Sequence, residues 1–304
     1  AGLNLDDMDF RGADLSGADL RGASLERAAA GQADLSHADL ASARMRGLVA
    51  VQTNLQDADL TDVWADRAFF DGANLKEAKL SKARLREAAL ARADLRGACL
   101  AHADLYRANL RGADVAGADF TNAGLEHANL SGLDLRTTCC HGARFKEAKL
   151  SGCNLEDLSL PGADFTAARL DSALLTGTSM PGARFEDADL RGAGLADIDW
   201  EGAVLCHADL RGASFHLGST RGGLVGSPIA CEGSRTGFYT DEYGEQDFKA
   251  PEEIRKANLS HADLRGANIE GVDFYLVDLR HALLDPMQEE QVRRSGAIRD
   301  ARVE

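Results

Sequence analysis

At 304 residues the chain is long enough for one large or two ordinary domains. Its apolar residues are mostly Ala and Leu and its aromatics only 6%, which argues against a conventional globular core. A formal net charge of −15 argues against a nucleic-acid binder with a basic patch, and against binding to an anionic membrane surface.

From the first residues the chain repeats a five-residue word, as in "RGADLSGADLRGASL" over 11–25. Neither the 3.6 period of a helix nor the 2.0 period of a strand fits. Through residue 215 the middle of the word falls on every multiple of five and is mostly Leu or Phe. Two residues earlier stands Ala, as at Ala13, Ala18 and Ala23, with Asp or Asn between, as at Asp14 and Asp19. Residues two apart on an extended segment point the same way, so Ala13 and Leu15 face one axis and Asp14 faces out. The remaining two places, rich in Gly, Ser and Arg, turn the chain. If four such sides close one coil, the same side returns every 20 residues and coils stack at ~4.8 Å.

Tandem words such as "REAALARADLRGACLAHADLYRANLRGAD" resemble the pentapeptide-repeat protein family, over residues 1–284 apart from one interruption. The resemblance implies an all-β solenoid, a right-handed quadrilateral β-helix, here with one long inserted loop and a short C-terminal helix. The expected segments are 1–215 repeat, 216–256 insertion, 257–284 resumed repeat, and 285–304 capping helix and tail. Because Ala1 already lies inside the repeat, the N-terminal edge is expected to be covered by a further segment or a partner.

Three departures follow in chain order. Over 48–70, period 20 places Ala29, Val49, Phe69 and Ala89 on one outward ladder, with Val51 beside it and Trp64 on the neighbouring side. A contiguous exposed apolar stripe usually marks a contact, with a partner or with a second copy; the plainer reading is that a terminal segment of the same chain covers it or that it is merely tolerated. Over 216–256 the frame stops, and Phe238, Tyr239 and Tyr243 interleave with Asp241 and Glu242. That mixture suits a basic protein partner; the plainer reading packs the aromatics on the coil. Over 285–304, Asp285, Pro286 and Gln288 mark a helix start and Ser295-Gly296 its end, with Met287 and Val292 sealing the last coil.

No catalytic, cofactor or metal site emerges. The histidines are scattered, the six cysteines form no CxxC pair, and "GSTRGG" lacks the GK[ST] of a phosphate loop. The absence of a cysteine framework fits a reducing cytoplasmic setting. No apolar run approaches the ~18 residues of a membrane span. Asp14, Asp34, Asp94, Asp114 and Asp134 form an acidic ladder, expected to be mainly solvated surface. Some family members imitate DNA and bind gyrase or topoisomerase IV, so the resemblance implies an alternative role on a type II topoisomerase. The acidic side here carries about one net charge per ~7 Å against one per ~1.7 Å in duplex DNA, a weak imitation. The leading expectation is a non-enzymatic, rod-shaped scaffold for protein contact, without direct nucleic-acid binding and with self-association through the stripe or the N-terminal edge as one form of it.

Overall fold

The computed structural model describes residues 2–215, 238–240, 246–248 and 257–299. It divides into two compact units, Ala1–Asn154 and Leu155–Glu304.

In the first unit every five-residue word forms one short side and one corner. Parallel bridges join residues 20 apart, as in the runs Ala29–Val49–Phe69–Ala89 and Arg44–Trp64–Arg84–Asp104. Four bridged positions fall in each 20-residue coil, which gives the four-sided β-helix. Each bridge is closed by two bonds: Leu15 N–H donates to Asp34 O at 2.7 Å, and Asp34 N–H to Ala13 O at 2.9 Å. Within the corner, Ala18 N–H donates to Leu15 O at 3.1 Å. The Ala and Leu or Phe of each word are buried from residue 20 onward, forming an axial column in which each coil covers the next. A buried Leu or Phe contributes roughly 1.5–3 kcal/mol by the area removed from water.

The second residue of nearly every corner is left-handed, with φ of 67° at Gly12 but also 57° at His37 and Gln52. Gly fits this conformation without strain, and unbranched polar residues tolerate it. Among the described residues from 7 to 212, Thr137 is the one occupant of this place outside the left-handed set. Its branched Cβ disfavours that conformation. There Gly117 N–H takes the Thr137 hydroxyl, at 3.1 Å, instead of a backbone carbonyl.

The second unit has the same construction with larger core side chains. Phe165 and Phe185 stack at 5.1 Å, and Phe185 and Trp200 at 4.3 Å. The buried Trp200 Nε1–H donates to Thr178 Oγ1 at 3.1 Å, and Thr178 donates to Leu175 O at 2.8 Å. The polar atoms that accompany these rings into the core are thus satisfied. After Phe215 the coil resumes at Ala257: Asp199 bridges Asn258, and Asn258 bridges Asp278. Between these segments, β1 (Phe238–Thr240) and β2 (Gln246–Phe248) pair antiparallel, Tyr239 opposite Asp247.

Helix α1, Pro286–Ser295, follows the last coil. Pro286 stands in its first turn, Gln288 accepts from Asp285 N–H at 2.7 Å, and left-handed Gly296 ends it. Val292 is buried, but Met287 is 88% exposed and seals nothing, which corrects the sequence expectation. The seal is mainly polar. Gln288 Nε2 donates to Leu264 O and Ala267 O at 2.7 and 2.9 Å, and Gln291 Nε2 to Ile269 O at 2.7 Å. Leu264 O and Ile269 O also accept from the corner N–H groups of Ala267 and Val272, at 2.9 and 3.1 Å, so the glutamines add a second donor to carbonyls that have room for two. Among the described residues no helix is long and apolar enough to cross a membrane.

Candidate functional site

The outward residue of each word is the one whose identity the coil leaves open, so function is sought along these ladders. On the ladder that starts at Asp14 the residue is Asp or Asn at every step through Asn154, and it also serves the corner. Asp14 Oδ1 accepts from Ser16 N–H at 3.0 Å and from its hydroxyl at 2.7 Å. Asp34 accepts from Ser36 N–H at 2.9 Å and from Asn54 Nδ2 at 3.0 Å. Asp94 and Asp134 add a forked pair with the arginine two residues on, closing to 2.6 Å at Arg96 and 2.7 Å at Arg136. Asp114 accepts from Ala116 N–H at 3.2 Å.

Consecutive bridges join Asp14, Asp34, Asn54, Asn74, Asp94 and Asp114, while Asp134 bridges Asn154. The Ser16 and Ser36 donors hold the Asp14 and Asp34 carboxyls below the usual range, and the Arg96 and Arg136 guanidiniums do the same for Asp94 and Asp134. The acidic ladder is therefore more than solvated surface. Its carboxylates are corner acceptors, and at Asp94 and Asp134 the charge is matched by an arginine.

The 48–70 stripe has a different chemistry. Val49, Val51 and Phe69 are 40%, 37% and 47% exposed. Val49 and Phe69 are bridged neighbours with Ala29 and Ala89 at the ends of their ladder, as the 20-residue period predicts. Val51 sits between two shallow grooves, one reaching Arg11 and Gln32 and the other Ala91 and Arg92. None of these apolar side chains can accept a corner N–H.

Trp64, 53% exposed, lies on the adjacent ladder between Arg44 and Arg84, with the Arg84 guanidinium 4.9 Å from its ring. It lines a cleft of about 440 Å³ together with Arg44, Arg46, Arg67, Arg84 and Arg86. The sequence reading singled out Trp64 but not its arginines. They come together only when residues 20 and 40 apart are superposed. Of the predicted insertion contacts, Phe238 and Tyr239 lie in β1, with no account of their side chains, and Asp241, Glu242 and Tyr243 lie outside the described residues.

Among the described residues no group of His, Cys, Asp and Glu is placed to hold a metal ion. Cys99 and Cys139 are separated along their ladder by Asp119. Burial pushes the Cys140 and Cys153 thiols up to about 11, which leaves them un-ionised and unreactive at neutral pH.

A sequence model of pentapeptide repeats matches the chain in overlapping copies from residue 1 to 217 and again over 254–284. The chain belongs to the pentapeptide-repeat family. A search of curated proteins finds no match. Among solved structures, the chain is 31% identical to HetL, a pentapeptide-repeat protein involved in heterocyst differentiation regulation in the cyanobacterium Nostoc sp. strain PCC 7120. That match covers 70% of this chain and 89% of HetL, with a TM-score of 0.44. It is 16% identical to QnrB1, a plasmid-mediated fluoroquinolone resistance protein, over 96% of this chain and 97% of QnrB1, with a TM-score of 0.33. The pentapeptide-repeat protein Rfr23 of the cyanobacterium Cyanothece 51142 is 28% identical over 38% of this chain and 84% of its own, with a TM-score of 0.18. HetL and Rfr23 share with this chain the pentapeptide repeat.

Proposed function

We propose that this pentapeptide-repeat protein is a non-enzymatic scaffold for protein–protein contact. Its contact surface is the Val49, Val51 and Phe69 stripe, with Trp64 on the adjoining side. The observation that carries the reading is the concentration of these exposed side chains within two coils, at outward positions of the kind that the Asp14 ladder fills with corner-bonding Asp and Asn. Exposed apolar area of this kind favours association. The insertion over 216–256, with Phe238, Tyr239, Asp241, Glu242 and Tyr243, is a second contact, suited to a basic partner. The free thiols of the described cysteines support a reducing compartment such as the cytoplasm.

The test is Phe69→Asp, which places a charge in the stripe without entering the core. The variant keeps the β-sheet circular dichroism of the parent and changes its sedimentation profile or the set of proteins it retains. An unchanged profile with an unchanged set refutes the stripe. The alternative, a DNA-like modulator of gyrase or topoisomerase IV, is weakened by the arginine-matched charge of Asp94 and Asp134. A gyrase supercoiling assay unaffected at micromolar protein removes it.

A further inference from the structure

The Trp64 cleft reverses the sign of the molecule. Its lining holds five arginines against three carboxylates, Glu26, Asp66 and Glu87, in a chain whose net charge is −15. Arg44 is paired with Glu26 at 2.6 Å, Arg84 with Asp66 at 2.9 Å and Arg67 with Glu87 at 2.9 Å. Arg86 reaches out of the cleft to Asp104 at 3.0 Å, and its guanidinium lies 4.5 Å from the Tyr106 ring. Arg46, exposed at the rim, has no ion-pair partner among the described residues. Two aromatic rings, Trp64 and Tyr106, thus hold two guanidiniums in place beside an uncommitted one.

We propose that this cleft binds an acidic peptide segment of a partner protein, a carboxylate taking Arg46 and a neighbouring side chain covering Trp64. The inference rests on the reading of this unit as a protein-contact surface and shares Trp64 with it, but it turns on Arg46 and not on Val49, Val51 or Phe69, so Arg46 and Phe69 variants let the two fail separately. Trp and Arg are the side chains that most often dominate binding energy at protein interfaces. The planar guanidinium matches a carboxylate with two parallel hydrogen bonds. The ion pairs already in the cleft are exposed, and such pairs are weak in water, so an incoming carboxylate exchanges for a resident one at little cost. A nucleic acid fits less well. Its affinity grows with the number of phosphates neutralised, and here Glu26, Asp66, Glu87 and Asp104 interrupt the arginines within neighbouring coils.

The protein carries its own reporter. Of its two tryptophans, Trp64 is exposed and Trp200 is fully buried, so a neutral quencher such as acrylamide reads Trp64. The experiment titrates the full chain with a capped eight-residue peptide alternating Glu and Ala, its Gln-for-Glu counterpart, and a ten-residue oligo-dT. The Glu peptide is expected to protect Trp64 from quenching, and several-fold less well at high salt, as screening of exposed charges requires. Arg46→Glu weakens that binding at least tenfold and Arg46→Gln less, while both keep the parent circular dichroism. Phe69→Asp leaves it unchanged, and Trp64→Phe abolishes the fluorescence response. Equal protection by the Gln peptide, none by the Glu peptide at millimolar concentration, tighter binding of oligo-dT, or full binding by Arg46→Glu overturns the proposal.

Discussion

Two outward ladders of the first unit share one backbone and differ in what their side chains leave available. On the Asp14–Asp114 ladder the carboxylates bond the corner that follows them, so their acceptors are occupied within the chain. On the Ala29–Ala89 ladder the side chains of Val49 and Phe69 cannot hydrogen-bond, and they remain exposed. An outward residue can therefore support the coil or meet a partner, and its chemistry decides which.

The sharpest way to break this inside–outside distinction uses the adjacent pair Cys139 and Cys140, one exposed and one buried with its thiol raised to about 11. A thiol reagent is expected to modify Cys139 in the native protein and Cys140 only after unfolding. Native labelling of Cys140 contradicts the alternation. Next comes Phe70→Ala, which opens a cavity in the axial column and is expected to cost about 3–5 kcal/mol in urea unfolding. A value near zero contradicts the core position of Phe70.

Smaller effects separate the two ladders. Asp94→Ala removes an acceptor for Arg96 N–H and its guanidinium, and by analogy with helix caps should cost about 1 kcal/mol. The carboxylates also set an acid limit. Arg265 holds the Asp263 carboxyl at about 2, below the ~3.9 of an unfolded chain. Folding thus favours its ionised form, whose contribution is complete above about pH 4 and lost as the pH falls toward 2. The urea midpoint should hold steady from pH 7 to 5 and drop between about 4 and 2, and Asp263→Asn should shallow that drop. The smallest effect belongs to Phe69→Asp, expected within about 0.5 kcal/mol of the parent because the site is a surface one. A large loss would show that the stripe supports the coil after all.

The five-residue frame was legible because Ala13 and Leu15 recur with their partners at a fixed spacing, and one burial direction satisfies all of them. The 20-residue period that the family resemblance implies likewise places Val49 beside Phe69. Three things were not legible. The corner bonds of Asp14 depend on a turn geometry that an Asp-rich surface does not disclose. The Gln288 and Gln291 seal depends on where carbonyls end, whereas pattern reading looks for apolar residues and so nominated Met287. The arginine cleft depends on side-chain directions at 44, 46, 67, 84 and 86, which no local window contains. Thr137 was visible in the sequence, but its meaning needed the left-handed corner to be known first.

The re-entry of the coil at Ala257 bears on how such a chain can change. Asn258 bridges Asp199 as a residue twenty positions on would have done, although 39 additional residues intervene. The break between Phe215 and Ala257 therefore leaves the rungs on either side aligned, because register is set by the neighbouring coil and not by the length of the connection. A foreign sequence spliced there is expected to preserve that alignment, which makes the break a site where an engineer could graft a binding loop.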